Sequence, residues 1–271
     1  MNAYPPDRRR GLFGRPVLTF TIVVAVLLSV GVGTVALANR DRPDAAPEWH
    51  PGAEASAQVV TKKDVTTTTD TSPTLTLSAT GDIIMGNAPN DLPAHDGAGF
   101  FDSVVDALRS DLVMGNLEQP LTDDTGTSKC GNPPRTDCHA FRSPPAYAKH
   151  LKEAGFQLLN TANNHAHDYG PAGYANTVAA LDDAGLAHTG AQDEITRVTV
   201  KGIKVAVVGF APYAGVNNLN DLDHARTLVK RAKVGADLVV VQVHMGAEGA
   251  GKGHVKPGSE IFFGENRGDP I

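Results

Sequence analysis

Four apolar segments of the chain end in polar residues that can bind metals or transfer protons. They are residues 78–82, 113–118, 159–165 and 241–244, and they end in Asp82, Glu118, His165 and His244. Open α/β sheets bind ligands beyond the carboxyl ends of their strands, where successive loops converge. Oxygen and nitrogen ligands at such an edge suit divalent cations, and two cations can hold a phosphoester and activate water. The pattern therefore predicts one clustered polar site.

Each of these endings also has a simpler interpretation. The pair Gly81 and Asp82 is compatible with a plain turn, and Asn163 and Asn164 with turn geometry, since Asn tolerates a left-handed backbone. A lone histidine at a strand end, such as His244, is commonly a hydrogen-bonded core residue. The recurrence of polar endings on four segments of one domain is what favours a shared site.

The elements that must position these residues follow from the hydrophobic periodicity after residue 74. Short apolar runs predict strands, and apolar residues three and four positions apart predict helices. The predicted strands are residues 75–79, 112–114, 156–160, 197–200, 203–210 and 238–243, and the predicted helices are 101–108, 143–155 with Ser143 as N-cap, 174–185 and 221–234. Their alternation predicts an α/β domain with a mainly parallel or mixed sheet.

The N-terminal part predicts export and a membrane anchor. Residues 17–38 are 22 positions without a charge, which as a helix span roughly 30 Å of hydrocarbon. Arginines between positions 8 and 15 place the basic tail, residues 1–16, in the cytosol and the rest outside the cell membrane. The small residues Ala36 and Ala38 also fit a signal-peptidase site. The length of the apolar run favours an uncleaved anchor, and a cleaved signal peptide stays open.

Residues 39–73 predict a disordered spacer between this segment and the domain at 74–271. They are rich in Ala, Pro, Thr and charged residues, and their few apolar side chains cannot offset the entropy of ordering. The formal net charge of the chain is -6, and no basic stripe covers its C-terminal part. Nucleic acid is therefore excluded as the main partner.

The two cysteines, Cys130 and Cys138, lie in a stretch rich in Gly, Pro and Asp. In an oxidising compartment, an even pair that closes a short loop predicts a disulfide. Two free thiols are one alternative, and a metal site that includes His139 is another. Two thiols and one imidazole in a loop make a poor structural zinc site, so the disulfide is favoured.

The polar segments resemble the bacterial capsule-synthesis family of the CapA/PgsA poly-γ-glutamate type, a branch of the calcineurin-like metallophosphoesterases. The similar motifs lie at 81–85 (Gly-Asp-Ile-Ile-Met), 115–118 (Gly-Asn-Leu-Glu), 162–170 (Ala-Asn-Asn-His-Ala-His-Asp-Tyr-Gly), 181–190, 207–210 and 244–248 (His-Met-Gly-Ala-Glu). They follow the order of the family, and the Asn-Asn-His-x-x-Asp-Tyr-Gly block is the most specific of them.

The resemblance implies a calcineurin-like metallophosphoesterase sandwich, with two sheets flanked by helices and two divalent cations (Mn, Fe, Zn or Mg) at the strand ends. Carried over by motif, the metal-binding positions are Asp82, Asn116 or Glu118 in place of a bridging carboxylate, Asn164 and His244. His165 is implied to contact the substrate phosphate or the leaving group. Asp168 and Glu248, which lie in the matching motifs, are further candidate site residues.

Two features depart from the pattern of the related phosphoesterases. Ile84 stands where they have a metal-binding histidine, and a late Gly-His-x-His segment is missing from this sequence. The resemblance therefore predicts a C-terminally incomplete domain, in which the strand before His244 lacks a neighbour. Residues 245–271 are expected to be extended or poorly ordered, unless residues 261–263 fold back and close the sheet.

Two functions from different classes follow. One is an enzyme, a metal-dependent hydrolase or transferase acting on a phosphoester or amide bond of an envelope substrate. The other is an accessory protein that binds or exports an anionic envelope polymer; a domain whose site has decayed is a third interpretation. The resemblance also suggests membrane-bound polymer synthase subunits as partners. A complete set of metal ligands favours the enzyme, whereas an incomplete set beside a basic groove favours the accessory role.

Overall fold

The computed structural model describes residues 72–123 and 127–269. The predicted cytosolic tail, the membrane segment and nearly all of the spacer lie outside these residues, so those predictions stay predictions. Within the described ranges, no helix combines the length and the apolar character needed to cross a bilayer.

Four parallel strands form the first sheet, in the order β1-β2-β3-β4. They are β1 (Leu77–Ile83), β2 (Leu112–Leu117), β3 (Leu158–Asn160) and β4 (Ala187–Thr189). The helices between them are α1 (Val105–Leu108), α2 (Ala148–Glu153) and α3 (Gly170–Asp183). Parallel neighbours require such crossovers, and as a result all four strands end at the same edge of the sheet.

Three strands form the second sheet, in the order β5-β6-β7. Strands β5 (Thr196–Val200) and β6 (Ile203–Phe210) make an antiparallel hairpin, and β7 (Leu238–Val243) pairs with β6 in parallel. Helix α4 (Leu222–Lys233) connects β6 to β7. The Asp221 side chain caps this helix by accepting a hydrogen bond of 3.0 Å from the His224 N–H.

The two sheets pack face to face, with helices on their outer faces. Leu112, Met114 and Leu158 of the first sheet share a buried cluster with Val205 and Val207 of the second. Because strand side chains alternate between faces, the intervening residues pack outward. The outward residues of the first sheet contact α1, α2 and α3, and those of β6 contact α4. The mixed α/β class predicted from the sequence is confirmed.

The predictions for the second half of the domain are confirmed closely, and those for the first half less so. The hairpin β5-β6, helix α4 and strand β7 lie where the sequence predicts them. The first strand was predicted at 75–79 but runs through Ile83, and the helix predicted at 101–108 is reduced to α1 after a series of turns. Strand β4, with only three residues, has too short a pattern to be predicted.

The expectation that Ser143 caps a helix is wrong. Ser143 is fully buried, and its hydroxyl accepts a hydrogen bond of 3.0 Å from the Gln119 side-chain amide. The helical segment begins with a 3₁₀ turn at Pro145–Tyr147 and continues into α2. The Ser143 hydroxyl therefore accepts a hydrogen bond from a buried glutamine and none from the first N–H groups of the helix.

The segment after β7 is neither the extended segment nor the sheet-closing strand that the sequence led us to expect. It contains a short antiparallel hairpin, β8 (Ile261–Phe262) and β9 (Glu265–Asn266), and is neither fully extended nor part of the second sheet. Residues 261–263 therefore do not close the sheet. Across the described residues β7 pairs with β6 alone, in agreement with the prediction that this strand lacks a second neighbour.

Candidate metal centre

The polar residues predicted from the strand ends lie together at the carboxyl edge of the two sheets. Asp82 is the penultimate residue of β1, Glu118 directly follows β2, and His244 directly follows β7. The loop after β3 carries Asn164 and His165. Parallel strands bring these ends to one place although the residues are far apart in sequence.

A bulge in β1 brings Asp82 into register with β2. Ala79 pairs with Met114 and Asp82 pairs with Asn116, so three residues of β1 match two residues of β2. The extra residue lies in the Thr80-Gly81 segment, where the regular ladder is interrupted. Bulges are frequent near active sites because they redirect a side chain. Here the bulge places the Asp82 carboxylate beside the Asn116 side chain.

Asp82, Glu118 and His244 form a compact three-residue cluster that could hold a metal ion. One ligand atom from each residue lies within 4.8 Å of the other two. His244 Nδ1 is 3.3 Å from Asp82 Oδ1, and His244 Nε2 is 3.6 Å from Glu118 Oε1. Two carboxylates and an imidazole are ligands for divalent cations such as Zn²⁺ or Mn²⁺.

The two carboxylates of this cluster have opposite pKa shifts. The hydrogen bond with His244, assisted by the Asn116 amide, lowers the pKa of Asp82 to about 2. Burial, followed by the negative charge of Asp82, raises the pKa of Glu118 to about 7. A cation bound here would favour the ionised form of Glu118, because its positive charge offsets the negative charge of Asp82.

A network of buried asparagines fixes the orientation of Asn116. Its carboxamide oxygen accepts hydrogen bonds from the Asn160 side chain (2.9 Å) and the Asn163 side chain (3.2 Å). Its amide nitrogen consequently points to the cluster, 2.6 Å from Asp82 Oδ1 and 3.2 Å from His244 Nδ1. In this orientation Asn116 donates an N–H to Asp82, and its amide nitrogen, rather than its oxygen, faces the cluster.

Asn164 and Glu248 lie next to each other at the side of the cluster. The Asn164 amide is 3.4 Å from Glu248 Oε1, and the same oxygen is 3.4 Å from Arg267 Nη1. The side-chain oxygen of Asn164 is buried and has no hydrogen-bond partner within the described part of the chain. Buried polar atoms are rarely left without a partner. A carboxamide oxygen in this state can bind a cation or accept a hydrogen bond from a substrate.

His165 is held by a buried carboxylate. Its Nδ1 is 2.7 Å from Asp168 Oδ2, and Asp168 is fully buried. Because an ionised carboxylate only accepts hydrogen bonds, Nδ1 carries the proton. The other nitrogen, Nε2, faces the cluster at 3.9 Å from Glu118 Oε1. Lys129 completes this arrangement with an ion pair of 2.6 Å to Asp168 Oδ1.

The predicted disulfide between Cys130 and Cys138 is confirmed, with 5.5 Å between the Cα atoms. The loop that it closes forms one wall of a pocket of about 620 Å³ beside the cluster. The hairpin β8-β9 forms the opposite wall. Charged and aromatic side chains line the pocket, among them Lys129, Arg135 and His139 from the disulfide loop and Tyr213, Phe262, Phe263 and Arg267 from the other side.

The structure thus brings together the residues selected from the sequence, namely Asp82, Asn116, Glu118, Asn164, His165, Asp168, His244 and Glu248. Ile84, which stands in place of a histidine, is partly exposed at 37%. The sequence interpretation missed Lys129, Asn160 and Arg267. A lysine next to a cysteine gives no signal of its own, whereas the polar Asn160 at the end of an apolar strand was visible and was not assigned a role.

Comparisons with known proteins agree with the motifs. The family described as "Bacterial capsule synthesis protein PGA_cap" matches residues 76–252. The chain is 33% identical over 198 residues to the "Capsule biosynthesis protein CapA" of Bacillus anthracis, covering 64% of this chain and 47% of that protein. It is 31% identical over 193 residues to the "PGA biosynthesis protein CapA" of Bacillus subtilis (strain 168), covering 64% and 50%. The chain spans about half the length of these two relatives.

Proposed function

The chain belongs to the bacterial capsule synthesis protein family, and on that premise we propose that its α/β domain is a metal-dependent hydrolase of the metallophosphoesterase type. We infer that it acts on a phosphoester of an envelope substrate during capsule or poly-γ-glutamate biosynthesis. The observation that carries the proposal is the cluster of Asp82, Glu118 and His244 at the carboxyl edge of the sheets.

The residues present fit a divalent cation. Asp82 is ionised across the physiological range because its pKa is about 2, and Glu118 is buried beside it without a cationic partner strong enough to keep its pKa low. Asn164 adds a buried oxygen that has no hydrogen-bond partner among the described residues. A bound cation would polarise the phosphoryl oxygens and lower the pKa of a bound water.

In its fuller form, the proposal is that two cations bind at this site. Glu118 lies between the two sides of the site, 3.6 Å from His244 Nε2 and 3.9 Å from His165 Nε2. Its carboxylate is therefore the group that two cations could share. Asp82 and His244 would hold the first ion, and Asn164 would contribute to the second.

The chain's own residues orient the reacting groups around this centre. Asn116 donates an N–H to Asp82 and lies 3.2 Å from His244 Nδ1, and these two contacts keep both ligands in place. Asp168 holds the proton on His165 Nδ1, which leaves Nε2 to contact a substrate oxygen or the leaving group. The adjoining pocket is large enough for part of an extended substrate.

A non-catalytic accessory role in binding or exporting an anionic polymer is the second candidate. The observation that favours it is the partial exposure of Ile84 at the position where related phosphoesterases have a metal ligand. Against it, the cationic side chains of the pocket are paired. Lys129 pairs with Asp168, and Arg267 pairs with Glu248 and Glu265.

For the whole protein we propose a single-pass membrane location with a cytosolic N-terminus and the α/β domain outside the cell. The support is the uncharged segment 17–38 preceded by arginines. Membrane-bound polymer synthase subunits are the partners proposed from the family. Protease accessibility of the domain in intact cells and in lysates tests this topology.

The catalytic proposal is tested with the full 271-residue chain. Bound Mn, Fe and Zn are measured by elemental analysis, and hydrolysis of bis(p-nitrophenyl) phosphate is followed with each metal. We expect at least one bound ion per chain, and we expect Asp82→Asn and His244→Gln to lose both the ion and most of the turnover.

Asp111→Asn is the matched control for Asp82→Asn. Its carboxylate also has a pKa of about 2, set by Lys201 and Thr76, but it precedes β2 at the opposite edge of the sheet. This variant should keep metal and turnover. A chain that binds metal stoichiometrically but hydrolyses no phosphoester would support the accessory role, and a chain that binds no metal would contradict both forms of the metal proposal.

A further inference from the structure

We propose that the pocket beside the metal centre is a substrate subsite and that Phe263 is its specificity-determining residue. The subsite takes a ring with a flat apolar face, carried on an ester group of the substrate, and this ring lies against the Phe263 side chain. The inference rests on the proposed function, in which a phosphoester binds at the metal centre and its ester groups extend beyond it.

The pocket is continuous with the metal centre. Asn164, His165 and Glu248, which lie at the centre, also line the pocket. A phosphoester held by the cluster can therefore extend an ester group between the disulfide loop and the hairpin β8-β9. The pocket volume of about 620 Å³ lies within the range of small-molecule sites.

The charges of the pocket are balanced, which disfavours a polyanion as its ligand. Among the described residues and besides its histidines, the charged side chains of the lining are three cations, Lys129, Arg135 and Arg267, and three acids, Asp137, Glu248 and Glu265. Arg135 lies 3.6 Å from Asp137, and Lys129 and Arg267 have the acidic partners described above. A neutral ring fits this lining better, because ligand sites for such groups combine apolar and aromatic contact with few polar groups.

Phe263 has the most exposed ring of the three aromatic residues in the lining. The Arg267 guanidinium lies over the Tyr213 ring, 5.1 Å from its centroid, and over the Phe262 ring, 5.3 Å from its centroid. The Phe263 ring packs against that of Phe262, with 4.4 Å between the centroids, and is 81% exposed. A substrate ring can therefore stack on Phe263 in the offset or edge-to-face geometries that ring pairs prefer.

The backbone at position 263 is unfavourable for phenylalanine. Phe263 and Gly264 are the two residues between β8 and β9, and both have positive φ, 48° and 81°. Two-residue hairpin turns with positive φ prefer Asn, Asp or Gly, and a bulky residue there is an outlier. Such strained positions are concentrated at ligand sites. The turn itself gives no reason for a phenylalanine, whereas contact with a ligand does.

Arg267 holds the hairpin in place beside the metal centre. Its side chain is buried, pairs with Glu248 at 3.4 Å and donates a hydrogen bond to the Tyr213 hydroxyl. Its carbonyl oxygen accepts a hydrogen bond of 2.8 Å from the Gly246 N–H, two residues after His244. The hairpin is therefore fixed to the loop that follows a metal-binding residue, and a wall that is already ordered costs less entropy on binding.

The test is a calorimetric titration of the full chain with phenylphosphonate and with methylphosphonate in the presence of Mn²⁺. Both probes have the same anionic head, so the ratio of their affinities isolates the ring. We expect the wild type to bind phenylphosphonate at least about fivefold more tightly, and Phe263→Asn to reduce the ratio below twofold. Ile261→Thr is the matched control, because Ile261 is 58% exposed on the same hairpin but is not part of the pocket lining, and it should keep the wild-type ratio.

Phe263→Asn also distinguishes a ligand contact from a structural role. Asn tolerates positive φ, and the ring that is removed is mostly exposed, so we expect the midpoint of thermal unfolding to stay the same or rise while the affinity ratio falls. With bis(p-nitrophenyl) phosphate we expect a severalfold higher KM and a nearly unchanged kcat. A structural role of Phe263 would instead lower the unfolding midpoint.

Glucose 1-phosphate, titrated in the same way, identifies the source of the ring. If it binds more tightly than methylphosphonate and loses this advantage in Phe263→Asn, the subsite takes a sugar ring. If phenylphosphonate alone behaves in this way, the subsite takes an aromatic ring.

Three results would overturn the inference. They are a wild type that binds neither ring-bearing probe more tightly than methylphosphonate, a ring preference that Phe263→Asn leaves unchanged, and an equal loss of that preference in Ile261→Thr. Failure of the proposed hydrolase function would be seen separately, as wild-type protein without turnover. A ring preference that depends on Phe263 would in that case still establish the subsite.

Discussion

Glu118 is the carboxylate of the site whose ionisation is disfavoured by its surroundings. It is only 7% exposed and lies beside an aspartate, and its pKa is raised from 4.5 to about 7. The folded chain without metal therefore binds a proton at Glu118 more tightly than the unfolded chain does. The resulting stabilisation is complete below pH 4.5 and is lost as the pH rises toward 7.

Glu118→Gln should therefore stabilise the metal-free protein at pH 8, although it removes a ligand. The neutral amide avoids the cost of a buried charge, and we expect a gain of about 2–3 kcal/mol in the free energy of unfolding at pH 8 and almost none at pH 4.5. Denaturant unfolding in EDTA at both pH values measures this difference. Exposed Glu153→Gln is the control, and a Glu118→Gln protein that is less stable than wild type at pH 8 would contradict the argument.

At the residue scale, the sequence identifies side chains that end apolar strands but not those that orient them. Asp82, Glu118 and His244 are predictable because chemistry-bearing residues at strand ends are an unusual pattern. Lys129 is not predictable, because its role depends on a loop that folds back onto the strand ends. The orientation of Asn116 is also invisible in the sequence, since it is set by hydrogen bonds from Asn160 and Asn163.

At the scale of elements, β6 approaches β3 closely at Gly209. An ideal Cβ on Gly209 of β6 would overlap the Asn160 side-chain oxygen of β3. Glycine within a strand commonly marks such a close approach. Asn160 in turn donates to the oxygen of Asn116. The absence of a side chain at position 209 is thus connected to the orientation of the metal-site asparagine.

Gly209→Ala should consequently affect metal binding as well as stability. The added methyl must displace Asn160, and we expect a loss of about 1–3 kcal/mol in the free energy of unfolding together with weaker Mn²⁺ binding. Unfolding and metal titrations measure the two effects. Gly253→Ala is the control, because a Cβ there meets no atom within 4 Å. Unchanged Mn²⁺ affinity in Gly209→Ala would show that the asparagine network does not support the site.

The elements that the sequence predicts well are those with an unbroken pattern. Strands β6 and β7 are continuous apolar runs, and α4 has a capping aspartate and a basic last turn. β1 is longer than predicted because polar and small residues continue it through a bulge to the site. Local hydrophobicity contains no signal for that extension, which depends on pairing with β2.

At the scale of the whole molecule, the second sheet has an exposed edge. Strand β7 pairs with β6 alone across the described residues, and its Val241 and Val243 side chains are 45% and 44% exposed. An edge of this kind presents unpaired backbone groups and apolar side chains to other chains. The alternation of elements predicts the α/β class, and the resemblance implies two sheets with outer helices. The open edge follows from the order of the strands.

This edge should govern self-association of the protein. Val241→Lys places a charge on the exposed strand, and charged side chains on edge strands oppose pairing between molecules. We expect this variant to shift the onset of concentration-dependent association, followed by light scattering, to at least severalfold higher protein concentration. Metal binding should be unchanged, because Val241 is not among the side chains of the metal centre.

Val234→Lys is the control that separates the strand edge from general surface hydrophobicity. Val234 is 73% exposed, but it follows α4 and lies outside any strand. If both lysine variants raise solubility equally, exposed apolar area rather than the unpaired strand causes the association. If neither does, the β7 edge is not the contact surface.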